Sequence, residues 1–175
     1  SFNLKPDLEH SELIEFYLLH YCKFFVNCCS GLNCAIISIP RPALIVNAFP
    51  WPWISTTTRK FDQYIPKLYS NDEFDQIPFR SLIELSKKMD WRTLYDSNEF
   101  FYQNKNLKVI DNSSDDILDA VKEMNLNIDY PNFYRKDQLF LRSKFNKLIT
   151  KNSTLSFQKS QICYFFLKKY KHLLY

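Results

Sequence analysis

Short apolar runs separated by turns dominate the first third of the chain, a pattern typical of an α/β protein. Residues 24–26 and 43–46 are apolar and rich in aromatic or β-branched side chains, so they predict buried strands. Between them, residues 32–38 predict a short helix, which Pro40 ends because the residue before a proline is disfavoured in the helical region. A strand, a tight turn, a helix and a second strand form a βαβ unit.

The rest of the pattern predicts further helices and strands. Helices are expected over 12–21, 80–89, 114–125, 137–150 and 160–174, and strands over 65–69 and 108–110. Ser113 and Asp116 have the spacing of a capping box, which marks the start of a helix. Its apolar stripe is predicted to contain Ile117, Leu118, Val121 and Met124. We therefore predict an α/β Rossmann-like domain over 1–129, followed by a helical C-terminal appendage over 130–175.

The turn of the βαβ unit contains Gly31, the only glycine of the sequence. Glycine allows positive φ and lets another group approach the backbone closely. Ser30 can cap the following helix, and the amides of Gly31, Leu32 and Asn33 would face one point, which suits a phosphate. The sequence has neither G-x-G-x-x-G nor a G-K-[ST] motif, and such a glycine more often serves only the geometry of the turn, so the motif alone favours a structural role.

A proline- and tryptophan-rich loop follows the second strand. In open α/β sheets, ligands bind beyond the carboxyl ends of the strands, where this loop is expected. Trp51 and Trp53 would stack there on a sugar or a base, while Arg59, Lys60 and, further on, Lys67 would contact phosphate. The alternative is that the tryptophans fill space at the edge of the sheet, and the sequence does not decide between the two interpretations.

Composition excludes several classes of protein. A hydrophobic content of 46% excludes a disordered chain, and a net charge of +4 is too small to indicate a nucleic-acid groove. No apolar run is long enough to cross a bilayer, and the basic residues of the C-terminal helices indicate peripheral membrane contact at most. The five cysteines lack zinc-ligand spacing and predict buried free thiols, no metal and a cytoplasmic location.

Several short motifs together resemble a known family. They are the Ser30-Gly31 turn, Arg41-Pro42, a strand ending at Asn47, Lys67, Ser81-Leu82, the run 109–113, Asp116-Ile117, Glu123-Met124 and the tail 161–170. In this order they resemble the C-terminal half of a poorly characterised family of bacterial glycosyltransferases for surface polysaccharides. The resemblance covers nearly the whole chain, and it implies half of a GT-B architecture, in which two Rossmann-like domains face each other across a cleft.

The resemblance implies that the domain binds the donor, a nucleoside-diphosphate sugar, without a metal or other cofactor. The turn at Ser30 and Gly31 would hold the diphosphate, and Arg41 and Asn47 join the basic residues as possible donor contacts. No catalytic residue is identified, because an N-terminal acceptor domain in the same or another chain would supply it. A sugar-nucleotide 2-epimerase of the same architecture and a non-catalytic binding or scaffold protein remain as alternatives.

Overall fold

The computed structural model describes residues 11–28, 39–51, 59–87, 106–131, 135–149 and 158–175. Its helices are α1 (Ser11–Tyr21), α2 (Phe79–Ser86), α3 (Ser114–Asp129), α4 (Lys136–Leu148), α5 (Tyr164–Lys169) and a final 3-10 helix (Lys171–Leu174). Its strands are β1 (Phe25–Asn27), β2 (Ala43–Ala48), β3 (Gln63–Pro66), β4 (Leu68–Ser70), β5 (Lys108–Ile110) and β6 (Gln161–Ile162). The helix predicted over 32–38 lies outside the described residues.

The central sheet has four strands in the order β1-β2-β3-β6, and all three pairings are parallel. Each strand that follows another in parallel needs a connection that crosses back over the sheet. β2 and β3 are almost entirely buried, as expected for strands with both faces covered. The mixed α/β fold with a parallel sheet is compatible with the predicted Rossmann-like class.

Helix α3 begins as the sequence predicts. The Ser113 hydroxyl accepts a hydrogen bond from the Asp116 amide, and the Asp116 carboxylate accepts one from the Ser113 amide, so the predicted capping box is confirmed. The helix continues to Asp129 rather than Asn125. Its predicted apolar stripe was partly wrong, because Leu118 is exposed whereas the charged Glu123 is buried.

The strand predicted over 65–69 is in fact two strands that Lys67 separates. β3 belongs to the parallel sheet, and β4 pairs with β5 in an antiparallel two-stranded sheet. The Lys67 amide donates to the carbonyl of Ala48, at the end of β2. The chain therefore passes from one sheet into the other at the carboxyl end of β3.

The predicted helical C-terminal appendage requires a correction. Gln161 and Ile162, predicted as part of a helix over 160–174, form β6 and pair with Gln63 and Tyr64 of β3. Residues of α4, α5 and the final 3-10 helix contribute to the same hydrophobic core as the sheet. A two-residue strand followed by a short helix is too short to show a periodic pattern of apolar residues. Residues 161 and 162 therefore become a strand because they can pair with β3, which the local sequence does not reveal.

The aromatic core decides the role of one tryptophan. Trp51 is fully buried, its ring packs edge-on against Phe79 of α2, and it stacks on Phe145 of α4 with centroids 5.7 Å apart. The interpretation in which this side chain fills space at the sheet edge is therefore correct, and Trp51 is not a stacking platform for a ligand. Trp53 lies outside the described residues.

Candidate functional site

Two asparagines join the carboxyl ends of β2 and β3 to the start of α3. The amide of Asn47 donates to Oδ1 of Asn112, and the amide of Asn112 donates to Oδ1 of Asn47, both at 2.7 Å. The Asn112 side-chain amide also donates to the carbonyl of Pro66. Asn47 has a φ of 50°, a conformation that asparagine tolerates better than most residues. At the carboxyl edge, these side-chain contacts add to the backbone pairing of β2 with β3.

Lys67 lies at this same edge. Its ammonium is 2.6 Å from a carboxylate oxygen of Asp111 and 5.6 Å from the centre of the Phe49 ring. The Lys67 side chain is 25% exposed, whereas the Asp111 side chain is 71% exposed. Ion pairs with an exposed partner contribute little stability, so Asp111 holds the Lys67 ammonium only weakly. Asn47 lies near the end of β2 and Lys67 follows β3, so both lie at the same edge of the sheet, and their role as donor contacts stays a prediction.

The predicted diphosphate turn lies outside the described residues. This applies to Ser30, Gly31, Leu32 and Asn33, which therefore stay a prediction. β1 ends at Asn27, and β1 is parallel to β2. The turn consequently follows, along the chain, a strand end at the same edge of the sheet as Asn47 and Lys67.

The remaining predicted contacts lie at the opposite edge of the sheet. Arg41 precedes β2, and its Nε donates to the carbonyl of His20. Arg59 precedes β3 and forms a bidentate pair with the fully buried Asp62, while its Nη1 donates to the carbonyl of Ile39. Lys60 is exposed beside it. The structure therefore does not bring Arg41, Arg59 and Lys60 together with Asn47 and Lys67.

Asp62 explains why Arg59 is held at the amino edge. A carboxylate that is removed from water needs charged or hydrogen-bonding partners. Asp62 accepts from the amide of Ala43 at 2.9 Å and from the Arg59 guanidinium. Arg59 is therefore a structural residue that anchors β2 to β3, which the sequence alone did not indicate.

A buried carboxylate that the sequence analysis did not select joins α3, α4 and α5. Glu123 is 3% exposed and accepts hydrogen bonds from the amides of Tyr164 and Phe165 at 2.8 and 2.9 Å. Nη2 of Arg142, on α4, is 3.0 Å away. Burial raises the pKa of Glu123, against the opposing effect of the amides and of Arg142. This carboxylate occupies the start of α5 and is a structural cap.

A second charged cluster lies where α5 approaches the start of α3. Asp116 is 2.6 Å from the Lys169 ammonium and accepts a hydrogen bond from the Tyr170 hydroxyl at 3.0 Å. Burial alone would raise the pKa of Asp116, but the hydrogen bonds from Lys169, Ser113 and Tyr170 outweigh burial and hold it below the ordinary value. The same contact raises the pKa of Lys169.

The described cysteines differ in their surroundings. Cys163 is buried, Cys22 is half-buried and Cys28 is exposed, and all three are free thiols. The expectation of buried free thiols is therefore wrong for Cys28. Burial raises the pKa of the Cys163 thiol well above its ordinary value, which makes it unreactive. Cys29 and Cys34 lie outside the described residues.

Within the described ranges, the structure can be searched for membrane-spanning helices and for metal-binding clusters. None of the helices there is long and apolar enough to cross a bilayer. The same residues contain no group of three or more His, Cys, Asp or Glu side chains arranged to hold a metal ion.

Comparison of the chain with protein-family models, curated proteins and solved structures finds no match. The function must therefore be inferred from the residues and their arrangement.

Proposed function

We propose that this chain is the donor-binding domain of a glycosyltransferase that transfers a sugar from a nucleoside-diphosphate sugar in surface-polysaccharide synthesis. The observation that supports it best is the position of Asn47 and Lys67 at the carboxyl edge of the same parallel sheet. Parallel α/β sheets bind ligands at this edge. Ser30 and Gly31 follow the end of β1 in the sequence, and β1 ends at the same edge, so we expect their backbone amides to contribute to the proposed site.

In the proposed reaction, a nucleophile of the acceptor bonds to the anomeric carbon of the sugar and passes its proton to a base of the acceptor domain. The bond between that carbon and the diphosphate breaks, and negative charge develops on the leaving diphosphate. The amides of Gly31 and Leu32 and the Ser30 hydroxyl would stabilise that charge. Lys67 would approach the same phosphate by leaving Asp111. Asp111 would keep the ammonium in place when the site holds no anion, because the two charged groups are already in contact.

Catalysis would require a second domain that binds the acceptor. The histidines of the described ranges have local partners: His20 contacts the carbonyl of Phe16, and His172 contacts the side chain of Gln76. Neither contact is that of an oriented general base. We therefore expect no appreciable sugar transfer by the 175-residue chain alone. Sustained turnover by the purified chain would contradict the division into donor and acceptor halves.

Calorimetric titration with UDP and other nucleoside diphosphates tests the site. Ser30→Ala removes one hydroxyl contact and Lys67→Met removes the ammonium, so each should weaken binding by about tenfold. Gly31→Val should abolish binding, because a β-branched side chain blocks the approach to the amides and resists positive φ. Thermal unfolding of each variant separates loss of binding from loss of fold.

Lys108→Met is the matched control, because Lys108 is an exposed lysine at the opposite end of β5 from Asp111. It should leave nucleotide affinity unchanged. If the wild-type protein binds no nucleoside diphosphate, or if Lys67→Met and Lys108→Met behave alike and Ser30→Ala binds normally, the proposal is wrong.

A further inference from the structure

A cleft of about 400 Å³ lies at the amino edge of the sheet, opposite the proposed donor site. β2, β3 and β6 begin on one side of it, where Lys60, Gln63 and Gln161 line the cleft. The last turns of α3 form another side with Met124 and Ile128. This volume falls within the range of small-molecule sites, which combine apolar walls with a few converging polar groups.

The polar end of the cleft is formed by Arg142, Gln63 and Gln161. Arg142 is 7% exposed, and three of its five N–H groups are engaged, by Glu123, by the Gln161 side-chain oxygen and by the carbonyl of Ile162. Because arginine can only donate, this contact fixes the amide orientation of Gln161. The Gln161 Nε2 group is left as an uncommitted donor among the described residues.

Gln63 adds a second carboxamide. It is 5% exposed, and its oxygen lies 3.8 Å from the Cys163 sulfur. Its Nε2 group has no partner in the part of the chain that the structure describes. The uncommitted groups of Arg142, Gln63 and Gln161 are therefore all N–H donors, and donors that line a cleft in this way favour a ligand that supplies acceptor oxygens.

The charges at the cleft and the apolar residues of its walls indicate which class of ligand it would bind. Lys60, at the exposed rim, forms no ion pair with any described residue. Arg142 shares its charge with Glu123, but a carboxylate can use the guanidinium N–H groups that Glu123 leaves open. Pro42, Phe61 and Ile128 supply apolar surface for the body of the ligand.

We propose that this cleft binds a small organic carboxylate with an apolar body, separately from the proposed nucleotide site. The carboxylate oxygens accept from Arg142, Gln63 and Gln161, and the apolar body packs between Pro42 and Ile128. Lys60 adds attraction at the rim. The cleft is a second ligand site on the same domain, at the opposite edge of the sheet.

Phenylacetate and octanoate are suitable probes because each combines a carboxylate with an apolar group. Acetate, which has the carboxylate without a large apolar group, and benzyl alcohol, which has an apolar ring without a carboxylate, are the controls. NMR of the arginine and glutamine side-chain N–H groups should show saturable shifts at Arg142, Gln63 and Gln161 with the two probes. Both controls should bind about tenfold more weakly or worse, since each lacks one half of the contacts. UDP should leave these resonances unchanged, which separates this site from the proposed nucleotide site.

Gln161→Glu is the decisive variant. A glutamate there keeps an acceptor for Arg142 but places a negative charge against the ligand carboxylate, so it should weaken phenylacetate binding by about tenfold or more. Lys60→Met should weaken binding less, and Lys122→Met, an exposed lysine outside the cleft lining, should not change it.

A filling variant, Ile128→Trp, provides a second test that does not alter the buried charges. It should abolish binding of both probes while the protein remains folded by thermal unfolding. The proposal is overturned if no probe shifts the Arg142 and Gln161 resonances, or if the folded Gln161→Glu or Ile128→Trp protein binds phenylacetate as the wild type does.

Discussion

At the scale of single residues, a few buried polar side chains hold this protein together. Asn112 satisfies two backbone groups, the Asn47 amide and the Pro66 carbonyl, at the point where β2, β3 and α3 meet. Glu123 does the same for two amides of α5 and neutralises Arg142. Buried polar groups are costly when they lose their partners, so these residues should be sensitive to substitution.

We expect Asn112→Ala to lower the free energy of unfolding by about 2–4 kcal/mol, because it leaves two buried backbone groups without partners. Urea unfolding measures the change. Asn106→Ala, at an exposed asparagine before β5, is the control and should change stability by less than about 0.5 kcal/mol. Equal effects of the two substitutions would show that the paired asparagines do not fix the sheet edge.

Glu123→Gln should be more damaging still. It preserves shape but leaves the buried guanidinium of Arg142 without its counter-charge, so we expect a loss of about 3–5 kcal/mol in urea unfolding. Glu84→Gln breaks the exposed pair with Lys87 and should cost less than about 1 kcal/mol. A small effect at Glu123 would mean that the amides of α5, rather than the charge pair, account for its burial.

At the scale of elements, α3 connects the two edges of the sheet. Its capping box lies beside Asn112 at the carboxyl edge, and its last turns line the amino-edge cleft. Lys23, which precedes β1, contacts Asp129 in the last turn of α3. Proper placement of this helix therefore affects both the proposed donor site and the carboxylate cleft.

Ser113→Ala tests the start of that helix. Loss of the cap should reduce stability by about 1 kcal/mol, because the Asp116 amide loses its acceptor. Ser114→Ala, at the adjacent exposed position inside the helix, should be neutral or slightly stabilising since alanine favours helix. Chemical unfolding of both variants measures the difference, and a cost at Ser114 equal to that at Ser113 would argue against the capping box.

At the scale of the whole molecule, the contacts between α3 and α5 make stability depend on pH. The folded pKa of Asp116 is lowered, so its contribution is present above the unfolded pKa of about 3.9 and is lost as pH falls toward the folded value. The folded pKa of Lys169 is raised, so its contribution is present below the unfolded pKa of about 10.4 and is lost as pH rises through the folded value.

We measure the melting temperature as a function of pH. Asp116→Asn should make the fall in melting temperature smaller than in the wild type at both acidic and alkaline pH. Asp115→Asn, at a neighbouring exposed carboxylate, should retain the wild-type shape. An unchanged profile for Asp116→Asn would show that the Asp116–Lys169 contact does not contribute to stability.

Thiol labelling reports on the integrity of the whole core. Cys28 should react quickly under native conditions because it is exposed, Cys22 should react more slowly, and Cys163 should react only when the protein unfolds. Mass spectrometry of the labelled peptides distinguishes the sites. Labelling of Cys163 as rapid as that of Cys28 would contradict the burial of β6 and of the chain that follows it.

The sequence by itself determined the local features of this protein. The capping box of α3, the bounds of α1 and the strands around residues 25 and 45 follow from short-range hydrogen bonds and from apolar periodicity, which neighbouring residues set. The class of fold follows from the alternation of strands and helices. The chemistry of the Ser30-Gly31 turn remains a prediction of the sequence.

Only the tertiary structure decided which distant residues meet. It joined Asn47 to Asn112, linked Asp62 to the Ala43 amide at the opposite edge from Lys67, and buried Glu123 against Arg142 and the start of α5. It also made a strand of Gln161 and Ile162, because β3 offered unpaired backbone groups there. These contacts depend on the packing of segments far apart in the chain, and the local sequence pattern does not encode such packing.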